Sequence, residues 1–189
     1  MEIEYSSKEI KFEKELNELD ILAIDFCKIL DNLNIKYVLV SGYVSILFGR
    51  SRVSEGIDLI IEKFDYDKFQ LLWKELNKEF ICVNLDDSKE AYHDYLLNND
   101  SIRFSHNNKF IPNIEIKFPK SHLDILTLKK KIEVRLNNNI LLFISPIELQ
   151  IAFKFYLGSE KDIEDALYLY VIFKDKLNKD LLKYFNQKL

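Results

Sequence analysis

Residues 41 to 58 bring together side chains whose types and spacing suit phosphate chemistry. Ser41-Gly42 closes a short apolar, β-branched and aromatic run, Lys36-Tyr-Val-Leu-Val-Ser41, and opens a second run, Tyr43-Val-Ser-Ile-Leu-Phe48. The first reads as a buried strand and the second as a short helix ending at Gly49. A hydroxyl and an unobstructed backbone at a helix N-terminus suit an anion, because free N–H groups and the helix dipole both favour negative charge there. Arg50 and Arg52 follow, and a guanidinium contacts phosphate through paired donors. Asp58 then stands in Ile57-Asp-Leu-Ile-Ile61, a second strand. A carboxylate at that place is suited to a divalent cation that bridges to the same phosphates. Usage points to the same window. The chain has four glycines, and Gly42, Gly49 and Gly56 fall within fifteen residues. Of four arginines (Arg50, Arg52, Arg103, Arg135), two lie there.

The remaining pattern supplies the elements that would position this window. Ser7 is suited to cap a long amphipathic helix beginning near Lys8, with Phe12, Leu16, Leu19, Leu22, Ala23, Phe26, Leu30 and Leu33 on its apolar face. Tyr66 to Lys78 reads as a helix with Phe69, Leu72, Trp73 and Leu76 on one side, and 80–83 as a strand. Helix over 90–97, strand over 101–106 and strand over 114–118 follow. In the last of these Glu115 and Lys117 share a face. Residues 123–131 read as helix, and 132–136 with 140–144 as a hairpin across Asn137-Asn138-Asn139. From Ser145-Pro146 onward the pattern is helical, over about 146–156, 160–174 and 178–187, with Pro146 at a first helical position. The layout is α+β: a mixed core over 1–145, then a helical region over 146–189 packed on the same core.

Residues 36 to 62 resemble the nucleotidyltransferase superfamily, in particular its small prokaryotic branch, which includes members of toxin–antitoxin pairs. That pattern is a strand, Gly-Gly or Gly-Ser, a short helix, an Arg-containing loop ending in Thr or Ser, and Asp-x-Asp entering a strand. Ser41-Gly42 matches the turn; Arg50, Arg52 and Ser54 match the loop; Ile57-Asp58-Leu59 matches the second half of the carboxylate motif. Ser145-Pro-Ile-Glu-Leu149, Lys154 and Lys161-Asp162-x-x-Asp165-Ala166 resemble a helical segment of the same branch. The resemblance implies a mixed sheet flanked by helices with a helical C-terminal region. It implies Ser41, Gly42, Arg50, Arg52, Ser54, Lys154 and Lys161 as nucleotide or phosphate contacts. It also implies Asp58 and a third carboxylate, Glu115, as catalytic residues and ligands of Mg²⁺. One departure stands out: the family's first metal-binding Asp falls on Gly56. Carboxylates two apart on a strand point from one side and hold the metal together. Glu55 faces the other way unless the backbone bends at Gly56.

Taken singly, these residues have plain explanations: surface charges for Arg50 and Arg52, a structural pair for Asp58, a solvated sheet face for Glu115, a solvated helix face for Lys161, Asp162 and Asp165. Their order along the chain points to a site. The aromatics Phe153, Phe155, Tyr156, Tyr168, Tyr170 and Phe173 read as core or as a partner interface more than as a base-stacking platform. No apolar run reaches membrane-spanning length, and the acidic N-terminus lacks a signal peptide's basic start, so a cytoplasmic protein is expected. Cys27 and Cys82 sit in apolar patterns as core thiols. The net charge of −4 argues against bulk capture of nucleic acid and leaves a local basic patch open. Three functions are expected to compete. The first is nucleotidyl transfer from a nucleoside triphosphate to a hydroxyl of a protein, RNA or small molecule. The second is a degenerate relative that binds nucleotide and serves as a regulatory partner in a toxin–antitoxin pair, which Gly56 favours. The third is a structural interaction module.

Overall fold

The computed structural model describes residues 2–6 and 8–189. In chain order the elements are β1 (Ile3–Tyr5), β2 (Glu9–Phe12), α1 (Glu18–Asn32), β3 (Tyr37–Val40), α2 (Gly42–Leu47), β4 (Gly56–Ile61), α3 (Tyr66–Leu76) and β5 (Phe80–Cys82). They continue with α4 (Ser88–Glu90), prolonged by a π turn and a 3₁₀ turn to Asn98, then β6 (Ile102–His106), β7 (Asn113–Lys117), α5 (His122–Lys129), β8 (Ile132–Leu136) and β9 (Ile140–Ile144). Three helices close the chain: α6 (Ile147–Leu157), α7 (Glu160–Phe173) and α8 (Lys179–Lys188).

The first helix begins ten residues later than its periodicity suggests. Ser7, the expected cap, lies outside the described residues, and Lys8 does not start a helix. Residues 9–12 form β2, parallel to β8 with Ile10 opposite Val134. Ile10 and Phe12 are buried while Lys11 is exposed. That alternation of period two was hidden in the helical count, and pairing with a distant strand decided between the two. The helix starts where a capping box forms. Asn17 Oδ1 accepts from the Asp20 amide, and Asp20 Oδ2 accepts from the Asn17 amide, both at 2.9 Å. Asp20 is fully buried; it also receives the Tyr43 hydroxyl at 3.0 Å and the Lys14 ammonium at 2.7 Å. The start of α1 is thereby tied to α2, the element that follows Ser41.

One nine-stranded mixed sheet runs β1-β2-β8-β9-β3-β4-β7-β6-β5. β3 and β4 pair antiparallel, and β4 and β7 pair parallel. Leu39, Ile57, Leu59, Ile61, Ile114 and Ile116 are buried in one core cluster with Leu22, Phe26 and Leu30 of α1 and Phe69, Leu72 and Leu76 of α3. Ile147, Ile151, Leu169 and Phe173 of the last helices belong to the same cluster. By alternation, Asp58, Ile60, Glu115 and Lys117 face the other side, which α5 covers in part. A smaller cluster there joins Leu149, Ala152 and Phe185 to Leu123 and Leu126. Cys27 and Cys82 are buried and unbonded. No described helix is long and apolar enough to cross a membrane.

Candidate phosphate site

The central strands deliver the site residues to one edge of the open sheet face. β3 ends at Val40, opposite Asp58. Ser41 then turns the chain with φ 63° and ψ −140°, a conformation that non-glycine residues rarely adopt. On the other side of β4, Asp58 lies in register with Glu115 and Gly56 with Asn113. The ends of these strands, the loop 49–55 and the start of α7 enclose an open cleft of about 440 Å³. Ser41, Gly42, Arg52, Ser54, Asp58, Glu115 and Lys161 all border it, and so do Glu55, Arg103, Asn113 and Asp162.

Arg52 explains Gly42. Its guanidinium lies across the turn so closely that a Cβ on Gly42 would stand 1.7 Å from Nη2. A side chain at 42 would require the guanidinium to move off the turn. Burial lowers the Arg52 pKa from its ordinary value, and the Arg50 charge adds to the effect. Its Nε is buried with no hydrogen-bond partner among the described residues, 3.7 Å from Asp165 Oδ1. A buried donor left open beside a cleft is costly unless something fills it. Asp58 is half-buried. Burial raises its pKa and the neighbouring Glu115 charge raises it further, while the Ser41 hydroxyl, Lys117 and Lys154 oppose the rise.

Arg50 and Lys154 do not reach this cleft. They belong to an ion cluster behind it, where the expectation of direct phosphate contacts gives way to a structural role. Asp165 is fully buried; its Oδ1 accepts from Arg50 Nη1 and its Oδ2 accepts from Lys154 Nζ at 2.6 Å. Arg50 also pairs with Glu164 and donates to the Lys161 carbonyl at 3.2 Å. Lys154 is 2% exposed and stands 3.4 Å from Asp162. Burial lowers its pKa to about 8, against the pull of Asp162. The solvated helix face expected for Asp165 is therefore a buried clamp between α6, α7 and the arginine loop. Ser54 is structural in part, since its hydroxyl donates to the Gly56 carbonyl at 2.9 Å.

Two residues without a role in the sequence reading shape the site. Arg103 of β6 holds Glu115, with Nε and Nη2 each 2.9 Å from Oε2. Antiparallel pairing of β6 and β7 sets Arg103 opposite Glu115, a register that spacing alone does not reveal. Asn113 lies across from Gly56, and a Cβ on that glycine would stand 2.9 Å from the Asn113 carbonyl oxygen and 3.0 Å from its Oδ1. Among the expected aromatics, Phe173 is buried and Tyr168 donates to the Phe48 carbonyl at 3.1 Å. Phe153, Phe155, Tyr156 and Tyr170 are exposed on α6 and α7.

Comparison with known proteins bears on the fold. No family model matches the chain, and no curated protein matches it in sequence. Among solved structures, an antigenic nucleotidyltransferase-like protein from Paracoccidioides brasiliensis superposes with a TM-score of 0.52 at 16% identity, covering 89% of this chain and 84% of that one. The chain has a nucleotidyltransferase-like fold.

Within this nucleotidyltransferase-like fold, the resemblance implies a pair of Mg²⁺ ions held by the acidic side of the cleft. A two-metal clamp needs carboxylates that converge on both ions. Here Gly56 supplies none, Glu115 is bound by Arg103, and Glu55 borders the cleft from the exposed loop end of β4. Among the described residues no three acidic, histidine or cysteine side chains are grouped to hold a metal ion. The residues present do not fit that clamp.

Proposed function

We propose that this chain binds the polyphosphate of a nucleoside triphosphate in the Ser41–Asp58 cleft, as a degenerate relative of the nucleotidyltransferases. One observation carries the reading: the Arg52 guanidinium laid over Gly42, with a buried Nε that has no hydrogen-bond partner among the described residues, beside a cleft that Lys161 also borders. An incoming phosphate would supply the missing acceptor and gain a charge-assisted bond. Gly56 and the Arg103–Glu115 pair favour binding over metal-driven turnover.

A second reading is transfer of a nucleotidyl group to an acceptor hydroxyl. The registered pair Asp58–Glu115 favours it, because a carboxylate whose pKa is raised by burial is a better general base toward a hydroxyl. Calorimetric titration with each of the four ribonucleoside triphosphates, with and without Mg²⁺, tests the first reading. Binding weakened tenfold or more in Arg52→Ala supports it, and absence of heat with every triphosphate overturns it. Label transfer from an α-labelled triphosphate that is lost in Asp58→Asn would establish the second reading instead.

A further inference from the structure

A second cleft, of about 860 Å³, opens where α5 meets β8 and α7 meets α8. Five lysines border it: Lys8 ahead of β2, Lys129, Lys130 and Lys131 at the α5–β8 junction, and Lys176 between α7 and α8. Among the described residues none of the five is in an ion pair with a carboxylate. Two acids also stand in the wall, so the lysines outnumber the carboxylates five to two. Glu133 lies 3.5 Å from Arg135, and Glu148 accepts from the Asn178 amide at 2.8 Å. Lys176 is fixed over the cleft by a bond to the Ile3 carbonyl at 2.5 Å. Lys131 is half-buried, its Nζ 3.4 Å from the Phe143 ring centroid and 5.6 Å from that of Tyr37. Burial lowers its pKa and the Lys36 charge adds to the fall, while Asp31, Glu133 and Glu62 oppose it.

Five clustered like charges repel one another, and in a chain of net charge −4 they run against the average. An anion in the cleft would remove that repulsion. The lysines come from three separate segments and span a concavity twice the volume of the phosphate site, so the fitting ligand carries several phosphates along its length. A concave wall suits a strand in preference to a flat bilayer surface. We propose that this cleft binds the phosphodiester backbone of a nucleic-acid strand. It does so independently of the nucleotide reading, since it shares no residue with the Ser41–Asp58 cleft. The two are linked by α5. Leu123, Asp124 and Thr127 of that helix border a cavity of about 180 Å³ that reaches Ser41 and Asp58. Its eight residues rise ~12 Å toward the lysines.

The test is fluorescence anisotropy of a labelled 12-nucleotide single-stranded RNA of mixed sequence, titrated with the intact protein at several salt concentrations. With single strands, each phosphate neutralised contributes about −0.7 to the log–log salt slope. The parent should give a slope of about −2 to −3.5. Lys129→Glu/Lys130→Glu, both exposed, should weaken binding about tenfold or more at low salt and flatten the slope by about 1.4. Lys74→Glu/Lys89→Glu, with the same change of net charge away from the cleft, should leave both nearly unchanged. Equal loss in the two double variants would overturn the proposal, as would an RNA that does not bind. So would inorganic tripolyphosphate binding as tightly as the RNA and displacing it, which would make this a small-anion site. Capture by phosphatidylserine vesicles that the lysine variant loses, without RNA binding, would assign the cleft to a membrane instead.

Discussion

The buried ion cluster behind the site yields the sharpest stability prediction, through Asp165→Asn. Asp165 is fully buried and is the shared anion for Lys154 at 2.6 Å, for Arg50 and, at 3.7 Å, for Arg52. The amide is nearly isosteric, so packing is preserved and the change is one of charge. It leaves the Lys154 ammonium, 2% exposed, with only Asp162 at 3.4 Å. Breaking a buried pair by removing one partner costs about 3–5 kcal/mol, because the remaining charge is stranded. For a domain of this size each kcal/mol lowers Tm by roughly 2–4 °C, so a fall of about 6–20 °C is expected. Lys154→Met should cost less, under about 2 kcal/mol, because Asp165 keeps its guanidinium partners and a desolvated ammonium is removed. The double variant should recover most of the Asp165→Asn loss, a coupling of about 2 kcal/mol or more by urea denaturation. Additive effects, or an Asp165→Asn cost below about 1 kcal/mol, would refute the clamp. The same variant reports on the site, because Arg52 would lose the carboxylate that steadies it over Gly42. Triphosphate affinity should fall even below the melting transition.

Three further outcomes follow from the site geometry. Gly56→Asp, the change that would restore the missing carboxylate, should destabilise by about 1–3 kcal/mol, and Gly56→Ala by nearly as much, since a Cβ meets the Asn113 carbonyl at 2.9 Å; a stable, fully active Gly56→Asp would contradict this. Arg52→Ala should change urea stability by less than about 1 kcal/mol, because the arginine's charge is only partly compensated, while its triphosphate binding is lost. For Asp58, burial raises the folded carboxyl above its unfolded value, so the folded state holds the proton more tightly. Its favourable contribution is present below the unfolded pKa and fades as pH rises through the folded one. Asp58→Asn should therefore be at least as stable as the parent at pH 7, with the gain vanishing below about pH 4; a Tm profile against pH that shows Asp58→Asn weaker at neutral pH would overturn the assignment.

Local sequence carried much of the architecture and less of the site. The strands at 37–40, 57–61 and 114–117 and the hairpin at 132–144 follow from apolar runs punctuated by Gly, Pro and Asn, which act over a few residues. Residues 9–12 failed that treatment because Phe12 fits the helical period of the residues after it as well as an alternation with Ile10, and only pairing with Val134 and Leu136 decides. The site divided in the same way. Ser41, Gly42 and Asp58 are placed by neighbours in sequence, and the chain order of the motif located them. Arg103 and Asn113 act through registers between β6, β7 and β4, which no single-chain spacing encodes. Arg50 and Lys154 carried the right charge for phosphate, yet the anion they meet is Asp165, from the same helical segment that supported the resemblance.

Gly56 takes on a different meaning once its partner strand is in view. In the sequence it is one residue where a carboxylate was expected, a loss that a single substitution would reverse. In the fold it is half of a packed pair. The Asn113 amide donates to the Glu55 carbonyl at 3.0 Å, its side chain donates to the Phe110 carbonyl at 3.2 Å, and its own carbonyl fills the space a Cβ at 56 would need. Two residues further along β7, Arg103 of β6 neutralises Glu115. Two features of β7 thus subtract from the acidic side of the cleft, one by occupying room and one by pairing charge. Restoring a metal clamp would require β7 to shift and Arg103 to release its partner together. A polyphosphate held by Arg52 and Lys161 requires neither, and that difference in what must move favours binding over metal-driven transfer.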